Sequence, residues 1–143
     1  MLNTNLQKLL ARHEGLRLTP YQDTVGKLTI GYGRNLEGKG ITESEAEFLM
    51  TNDIIEVSEE LDRRVPFWNQ LDLVRKAALT DMAFNLGIGG LLKFKKMFAA
   101  LEILDWQEAA REALDSTWAT QVGQRSWDIA DMIITGHWPK WIK

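Results

Sequence analysis

Residues 14–33, EGLRLTPYQDTVGKLTIGYG, stand between a short leucine-rich segment and a long, mostly helical remainder. From residue 28 onward, apolar residues alternate with threonine and glycine, and this two-residue period predicts a β-strand. Residues 17–40 also contain Pro20 and five glycines, which favour short strands joined by tight turns. The stretch therefore predicts a small β-hairpin or meander.

Helix signals flank this stretch on both sides. Upstream, leucines recur every three to four residues between a cap at Asn3 or Thr4 and Gly15, which predicts a short helix. Downstream, Thr42-Glu43-Ser44-Glu45 is a capping-box pattern and predicts a helix that runs to about residue 61. Further periodic segments predict helices over about 72–85, 91–103, 106–114 and 125–134.

These elements predict an α+β fold in a single domain over residues 1–143. A small lobe of about residues 14–60 contains the strands. A helical lobe is formed by about residues 1–13 and 61–143, and the helix over 43–61 joins the two. We expect a ligand in a cleft between the lobes.

Composition excludes several functional classes. The chain has no cysteine, which excludes disulfides, thiol catalysis and thiolate metal sites. A net charge of −3 argues against a nucleic-acid partner. We find neither an apolar run long enough to insert into a membrane nor the apolar core of a signal peptide near Met1.

The side chains that remain point to carboxylate chemistry. No nucleophile-elbow, phosphate-loop or zinc-protease motif occurs in the sequence. Glu14 closes the first predicted helix, where the negative end of the helix dipole favours the protonated form that a general acid needs. Asp23 follows in a turn, and Thr29 lies on the next strand. Each alone is better explained as an ordinary helix-end, turn or strand residue, but together they suit a glycosidase that activates water between two carboxyl groups.

The quoted stretch resembles the catalytic region of the phage-type lysozymes, glycoside hydrolase family 24. The similarity rests on residues 14–18, 21–24 and 28–33, and it continues through 40–46, 71–79, 106–110, 116–118 and Arg125. It covers nearly the whole chain and implies a lysozyme-like fold that works without a metal or other cofactor.

The resemblance implies a role for each matching residue. Glu14 would be the general acid, Asp23 the base or electrostatic partner at the sugar, and Thr29 a residue that holds the attacking water. Arg125 would pair with the catalytic glutamate. Phe84 and Asn85 end the core helix where family members contact substrate, although Phe84 is better explained as a core residue than as a sugar-stacking one.

Two departures from the family pattern also give predictions. Arg34 stands where the family often has histidine, and we expect it to form an ion pair with Asp53. The segment after Arg34 is shorter than in the best-known member, which predicts a trimmed small lobe.

The six tryptophans favour packing over sugar binding. Trp106 and Trp127 lie at helical spacing among apolar residues and are predicted to be in the core, as is Trp118. Trp138 and Trp141 are predicted to pack the C terminus onto the helical lobe.

The resemblance implies an endolysin: a monomeric muramidase that hydrolyses peptidoglycan and lyses the host of a phage. Such a protein would remain in the host cytoplasm until a holin or another membrane pore releases it to the wall. Two alternatives stay open. One is a lytic transglycosylase that cuts the same bond, and the other is an inactive lysozyme-fold module that only binds the wall.

Overall fold

A computed structural model describes residues 1–142, and the α+β fold predicted from the sequence is confirmed. Among the described residues there are seven α-helices and one three-stranded antiparallel sheet in the order β1-β2-β3. The chain forms two compact units, a small unit over Met1–Leu49 and a helical unit that begins at Met50. The lobe boundaries inferred from the sequence stay a prediction.

The small unit begins with helix α1, which spans Asn5–Glu14. Thr4 is the N-cap: its hydroxyl accepts the Gln7 N–H at 3.0 Å, and the Gln7 side chain accepts the Thr4 N–H at 2.9 Å. Gly15 ends the helix with φ +74°, a backbone conformation that glycine adopts without strain. The predicted first helix is therefore confirmed, and the signals that define it are local.

The sheet follows directly after this helix. Strand β1 spans Arg17–Gln22, β2 spans Leu28–Gly31, and β3 is the two-residue strand Arg34–Asn35. Strand β2 is central, so that Thr29 pairs with Tyr21 on one side and with Asn35 on the other. This is the meander that the alternating pattern predicts.

Helix α2 spans Glu43–Arg64, and its predicted capping box is present. The Thr42 N–H donates to the Glu45 carboxylate at 2.8 Å, and the Glu45 N–H donates to the Thr42 hydroxyl at 3.1 Å. The helix runs slightly further than the sequence predicts and stops before Pro66, which cannot continue it.

The helical unit continues through a short 3₁₀ turn at Trp68–Gln70 and five further helices. Their bounds are α3 Leu73–Leu91, α4 Lys95–Glu102, α5 Trp106–Leu114, α6 Thr117–Val122 and α7 Gln124–Thr135. Helix α3 is broken at Gly87, where φ is +77°, close to the end predicted for it. Helix α6 was not predicted from the sequence, because a helix of six residues is too short to show the 3.6-residue period of apolar side chains.

One apolar core holds the helical unit together, with α5 packed against α4 and α7, and α3 packed against α7. Trp118 is buried, as predicted, and Trp106 is partly buried under the guanidinium of Arg75. The prediction for Trp127 is wrong, because its side chain is 57% exposed. The buried stripe of α7 runs instead through Ser126, Ile129, Ala130, Met132 and Ile133.

Candidate active site

Glu14 is the last residue of α1, and its side chain lies against the turn that joins β2 to β3. A Cβ placed on Gly33 would lie 2.6 Å from Glu14 Oε2 and 3.1 Å from its carboxyl carbon. The carboxylate can occupy this position because residue 33 has no side chain. Gly33 is therefore part of the site, a role that the sequence did not indicate for it.

Asp23 is held in a fixed orientation by the backbone of its own turn. Its Oδ1 accepts the Val25 N–H at 2.9 Å and the Lys27 N–H at 2.8 Å. The Gly26 N–H closes the turn onto the Asp23 carbonyl at 3.0 Å. Both side-chain bonds go to one oxygen, which leaves Oδ2 for another partner.

Thr29 is buried at the centre of β2 with 3% of its surface exposed. Its hydroxyl donates to the Lys27 carbonyl at 2.8 Å. Because a hydroxyl has a single proton to donate, its remaining capacity is to accept a hydrogen bond. Lys27 thus links both site residues, through its N–H to Asp23 and through its carbonyl to Thr29.

Arg34 forms its ion pair with a different residue from the one predicted. Its Nη1 donates to Glu45 Oε1 at 2.8 Å and to the Gly40 carbonyl at 3.1 Å, so the prediction of an Arg34–Asp53 pair is wrong. Hydrogen bonding from Arg34, together with the Thr42 N–H, lowers the pKa of Glu45 from 4.5 to about 2. The capping-box glutamate could have been considered as a partner, because its carboxylate faces back toward the preceding loop.

In the helical unit, Arg125 is held by a residue of α3. Its Nε donates to Asp81 Oδ1 at 2.8 Å, and its Nη2 donates to the Asp81 carbonyl at 3.1 Å. This pair was not predictable from the sequence, because it joins residues far apart in the chain. A role for Arg125 at Glu14 stays a prediction.

Asn85 is paired with a buried tryptophan. Its Oδ1 accepts the Trp118 indole N–H at 2.8 Å, and the ring of Phe94 meets Trp118 edge-on at 6.2 Å. This bond uses the acceptor of the amide and fixes its plane. The Asn85 amino group remains available as a donor to a ligand.

Phe84 is half exposed rather than part of the core, so the core interpretation of this residue is wrong. It lines a mostly apolar cavity of about 600 Å³ in the helical unit, together with Trp68, Asp81, Arg125 and Trp138. The residue one turn before it on the same helix face, Thr80, lines the same cavity. An exposed aromatic ring in such a cavity can stack on an apolar ligand face.

Among residues 1–142, no group of three or more acidic or histidine side chains is placed to hold a metal ion. Within the same residues, no helix has the length and apolar character needed to span a membrane.

Comparison with known proteins identifies the class to which this fold and this set of side chains belong. The model of the phage lysozyme family matches residues 11–129. The chain therefore belongs to the phage lysozyme family, whose members are lysozyme-type glycosidases.

Individual relatives agree with that assignment. The chain is 31% identical to the pre-baseplate central spike protein Gp5 of Enterobacteria phage T4, over 94% of this chain but 28% of the spike protein. It is 33% identical to the probable T4-type lysozyme 2 of Dictyostelium discoideum, over 93% of this chain and 95% of that protein. It is also 33% identical to the endolysin of Acyrthosiphon pisum secondary endosymbiont phage 1, over 82% and 81% of the two chains.

Proposed function

We propose that this protein is an endolysin that hydrolyses the β-1,4 bond between N-acetylmuramic acid and N-acetylglucosamine in peptidoglycan. The observation that carries the proposal is the arrangement in the small unit. The Glu14 carboxylate lies on the turn that follows β2, while the centre of β2 presents the Thr29 hydroxyl beside the ordered Asp23 loop. A carboxylic acid and a carboxylate base are the pair that an inverting glycosidase uses, and a hydroxyl beside them can bind the attacking water.

Glu14 acts as the general acid in this proposal. Its proton goes to the glycosidic oxygen as the bond from that oxygen to the anomeric carbon breaks, and positive charge develops on the sugar ring. The close contact with Gly33 supports this role, because it holds the Glu14 carboxyl group at one place for the proton transfer.

Asp23 and Thr29 act on the water that replaces the leaving sugar. Because the Thr29 proton is already donated to Lys27, the hydroxyl accepts one O–H of the water and fixes its orientation. Asp23 Oδ2 takes the other proton as the water oxygen bonds to the anomeric carbon. The two backbone N–H bonds to Oδ1 hold the carboxylate in place for this step.

The helical unit contributes substrate contacts in the same proposal. Asn85 donates its amide N–H to a carbonyl or hydroxyl of the wall polymer, since Trp118 already occupies its oxygen. Phe84 and Arg125 offer an exposed ring and a guanidinium from one cavity. No metal or other cofactor takes part.

The biological role that fits this activity is lysis of a bacterial host by a phage. The name of one relative, the endolysin of a phage, supports that role. The two probable T4-type lysozymes of Dictyostelium discoideum support the class of enzyme only. We propose that the protein acts as a monomer on the wall in the periplasm, after a holin or another pore has released it from the cytoplasm.

The first test compares the protein with Glu14→Gln on bacteria whose outer membrane has been permeabilised. The exchange keeps the size of the side chain and removes its acidic proton, so we expect clearing to slow by about a hundredfold or more. Glu43→Gln, on the exposed first turn of α2, is the matched control and should clear like the parent. Equal clearing by Glu14→Gln would remove Glu14 from the mechanism.

Mass spectrometry of the released muropeptides tests the bond chemistry. Hydrolysis leaves reducing N-acetylmuramic acid ends, whereas a lytic transglycosylase leaves anhydro ends. Binding to the wall with no released fragment would instead identify a wall-binding module.

A further inference from the structure

We propose that the Arg34–Glu45 ion pair positions the Glu14 carboxylate by fixing the turn on which it lies. The proposal rests on the catalytic role proposed above for Glu14. It makes Arg34 and Glu45 positioning residues that do not themselves touch the substrate.

The Glu14 side chain lies against the β2–β3 turn at Gly33. Gly33 has φ +79°, and a Cβ added there would lie 2.6 Å from Glu14 Oε2. Glu14 ends its helix, so no further helical residue packs on its C-terminal side. The location of the carboxylate therefore depends on where the backbone of Gly33 lies.

The ion pair controls that backbone because Arg34 is the next residue in the chain. Its guanidinium is tied to Glu45 at 2.8 Å and to the Gly40 carbonyl at 3.1 Å. The same Glu45 oxygen accepts the Thr42 N–H at 2.8 Å. One carboxylate oxygen thus anchors the β2–β3 turn and the loop to the first turn of α2.

Few other contacts in the small unit can hold the turn. Among the described residues of this unit Thr29 alone is buried, and the apolar side chains that flank the turn, Ile30 and Leu36, are only partly buried. Strand β3 consists of Arg34 and Asn35 only and adds few ladder hydrogen bonds. The pair remains charged at neutral pH, because the pKa of Glu45 is about 2 and arginine stays protonated.

The closing experiment follows the amide resonance of Gly33 through an acid titration. In the parent, this resonance should shift as Glu14 ionises, and the step should disappear in Glu14→Gln. That variant removes the ionisable group at residue 14 alone and leaves every other ionisable side chain of the unit in place. In Arg34→Gln we expect the step to shrink by roughly half or more, because the field of a charge falls with its distance.

Two further variants test whether the ion pair itself matters. Arg34→Lys keeps the charge and should retain most of the step. Glu45→Gln keeps the capping hydrogen bond from the Thr42 N–H and removes the negative charge of the ion pair. It replaces Arg34→Gln in the titration if Arg34→Gln does not fold. Arg64→Gln, which breaks the exposed Glu60–Arg64 pair on α2, is the matched control and should leave the Gly33 titration unchanged.

Turnover of a soluble wall fragment is measured in parallel, below the melting temperature of the least stable variant. Arg34→Gln should lower kcat by about three- to tenfold with little change in KM, because a displaced acid affects the reaction more than binding. The proposal would be overturned if the Gly33 amide resonance of Arg34→Gln shifted as much as that of the parent. It would also be overturned if Arg34→Gln lost stability while its kcat stayed unchanged. A parent that shows the titration step but no turnover would overturn the proposed function instead and leave the positioning by Arg34 standing.

Discussion

Different interactions stabilise the interior of each of the two units of this protein. Every buried apolar side chain among the described residues lies at or beyond Leu61, in the helical unit. In the small unit, leucines such as Leu16 and Leu18 remain exposed, and the main ordered contacts are hydrogen bonds of the sheet, the caps and the turns, together with one ion pair. Burial of apolar surface is the larger stabilising contribution in folding, whereas a hydrogen bond contributes about 0.5–1.5 kcal/mol net.

This difference matters because the candidate acid, base and water-binding residue are all in the small unit. Turns and caps fix a side chain by direct bonds to the backbone, as Lys27 does for Asp23 and Thr29. These hydrogen bonds keep the side chains of the site in a defined orientation. Among its described residues, the small unit has no buried apolar core that could keep that orientation when one of the bonds is lost.

A matched pair of leucine exchanges should show the largest effect and tests the contrast directly. Leu79→Ala, at a side chain with no exposed surface, should lower the free energy of unfolding by roughly 2–5 kcal/mol. Leu18→Ala, 80% exposed in β1, should change it by less than about 0.5 kcal/mol. Denaturant unfolding is followed by far-ultraviolet circular dichroism, which reports on both units, and by tryptophan fluorescence, which reports on the helical unit because all six tryptophans lie in it. Equal losses would show that the small unit has a core of its own.

A matched pair of glycine exchanges separates backbone strain from the contact with Glu14. Gly33 and Gly26 have φ +79° and +81°, but a Cβ on Gly33 meets Glu14 while one on Gly26 meets nothing within 4 Å. Both alanine variants should lose about 1–2 kcal/mol of stability. We expect Gly33→Ala to lose turnover, on the order of a hundredfold, because the Glu14 carboxylate must move. Gly26→Ala, in the turn that orients Asp23, should lose less, because its added Cβ meets no atom within 4 Å. Turnover like that of the parent in Gly33→Ala would remove Gly33 from the site.

The smallest expected effect is a pH dependence of the small unit. The pKa of Glu45 falls from 4.5 to about 2 on folding, so the stability it contributes is present above its ordinary pKa. That contribution is lost as the pH falls from about 4.5 through 2. Thermal unfolding followed through the amide resonances of residues 34–45 should show this loss in the parent and a flatter profile in Glu45→Gln. An identical acid profile in both proteins would contradict it.

Features set by neighbours in the chain were predictable from the sequence. The cap at Thr4, the capping box at Thr42 and Glu45, and the glycine that ends α1 all follow from side chains that bond to nearby backbone. The alternation over residues 28–33 likewise predicted the central strand of the sheet.

Features set by the orientation of whole elements were predicted less well. Trp127 lies one residue away from the buried stripe of α7, and composition alone does not give the phase of that stripe. Phe84 shares a helix with buried residues but faces a cavity. In both cases the apolar character of the residue predicted a buried side chain, and the side chain is exposed.

The sequence by itself determined the family, the order of elements and the identity of the candidate site residues, because these depend on local periodicity, capping and a specific motif. Only the tertiary structure decided that Arg34 pairs with Glu45, that Arg125 pairs with Asp81, and that Glu14 lies on Gly33. The reason is physical. An ion pair or a side-chain contact forms between whichever groups the packed backbone brings within a few ångströms of each other, and that distance is not encoded in the spacing of residues along the chain.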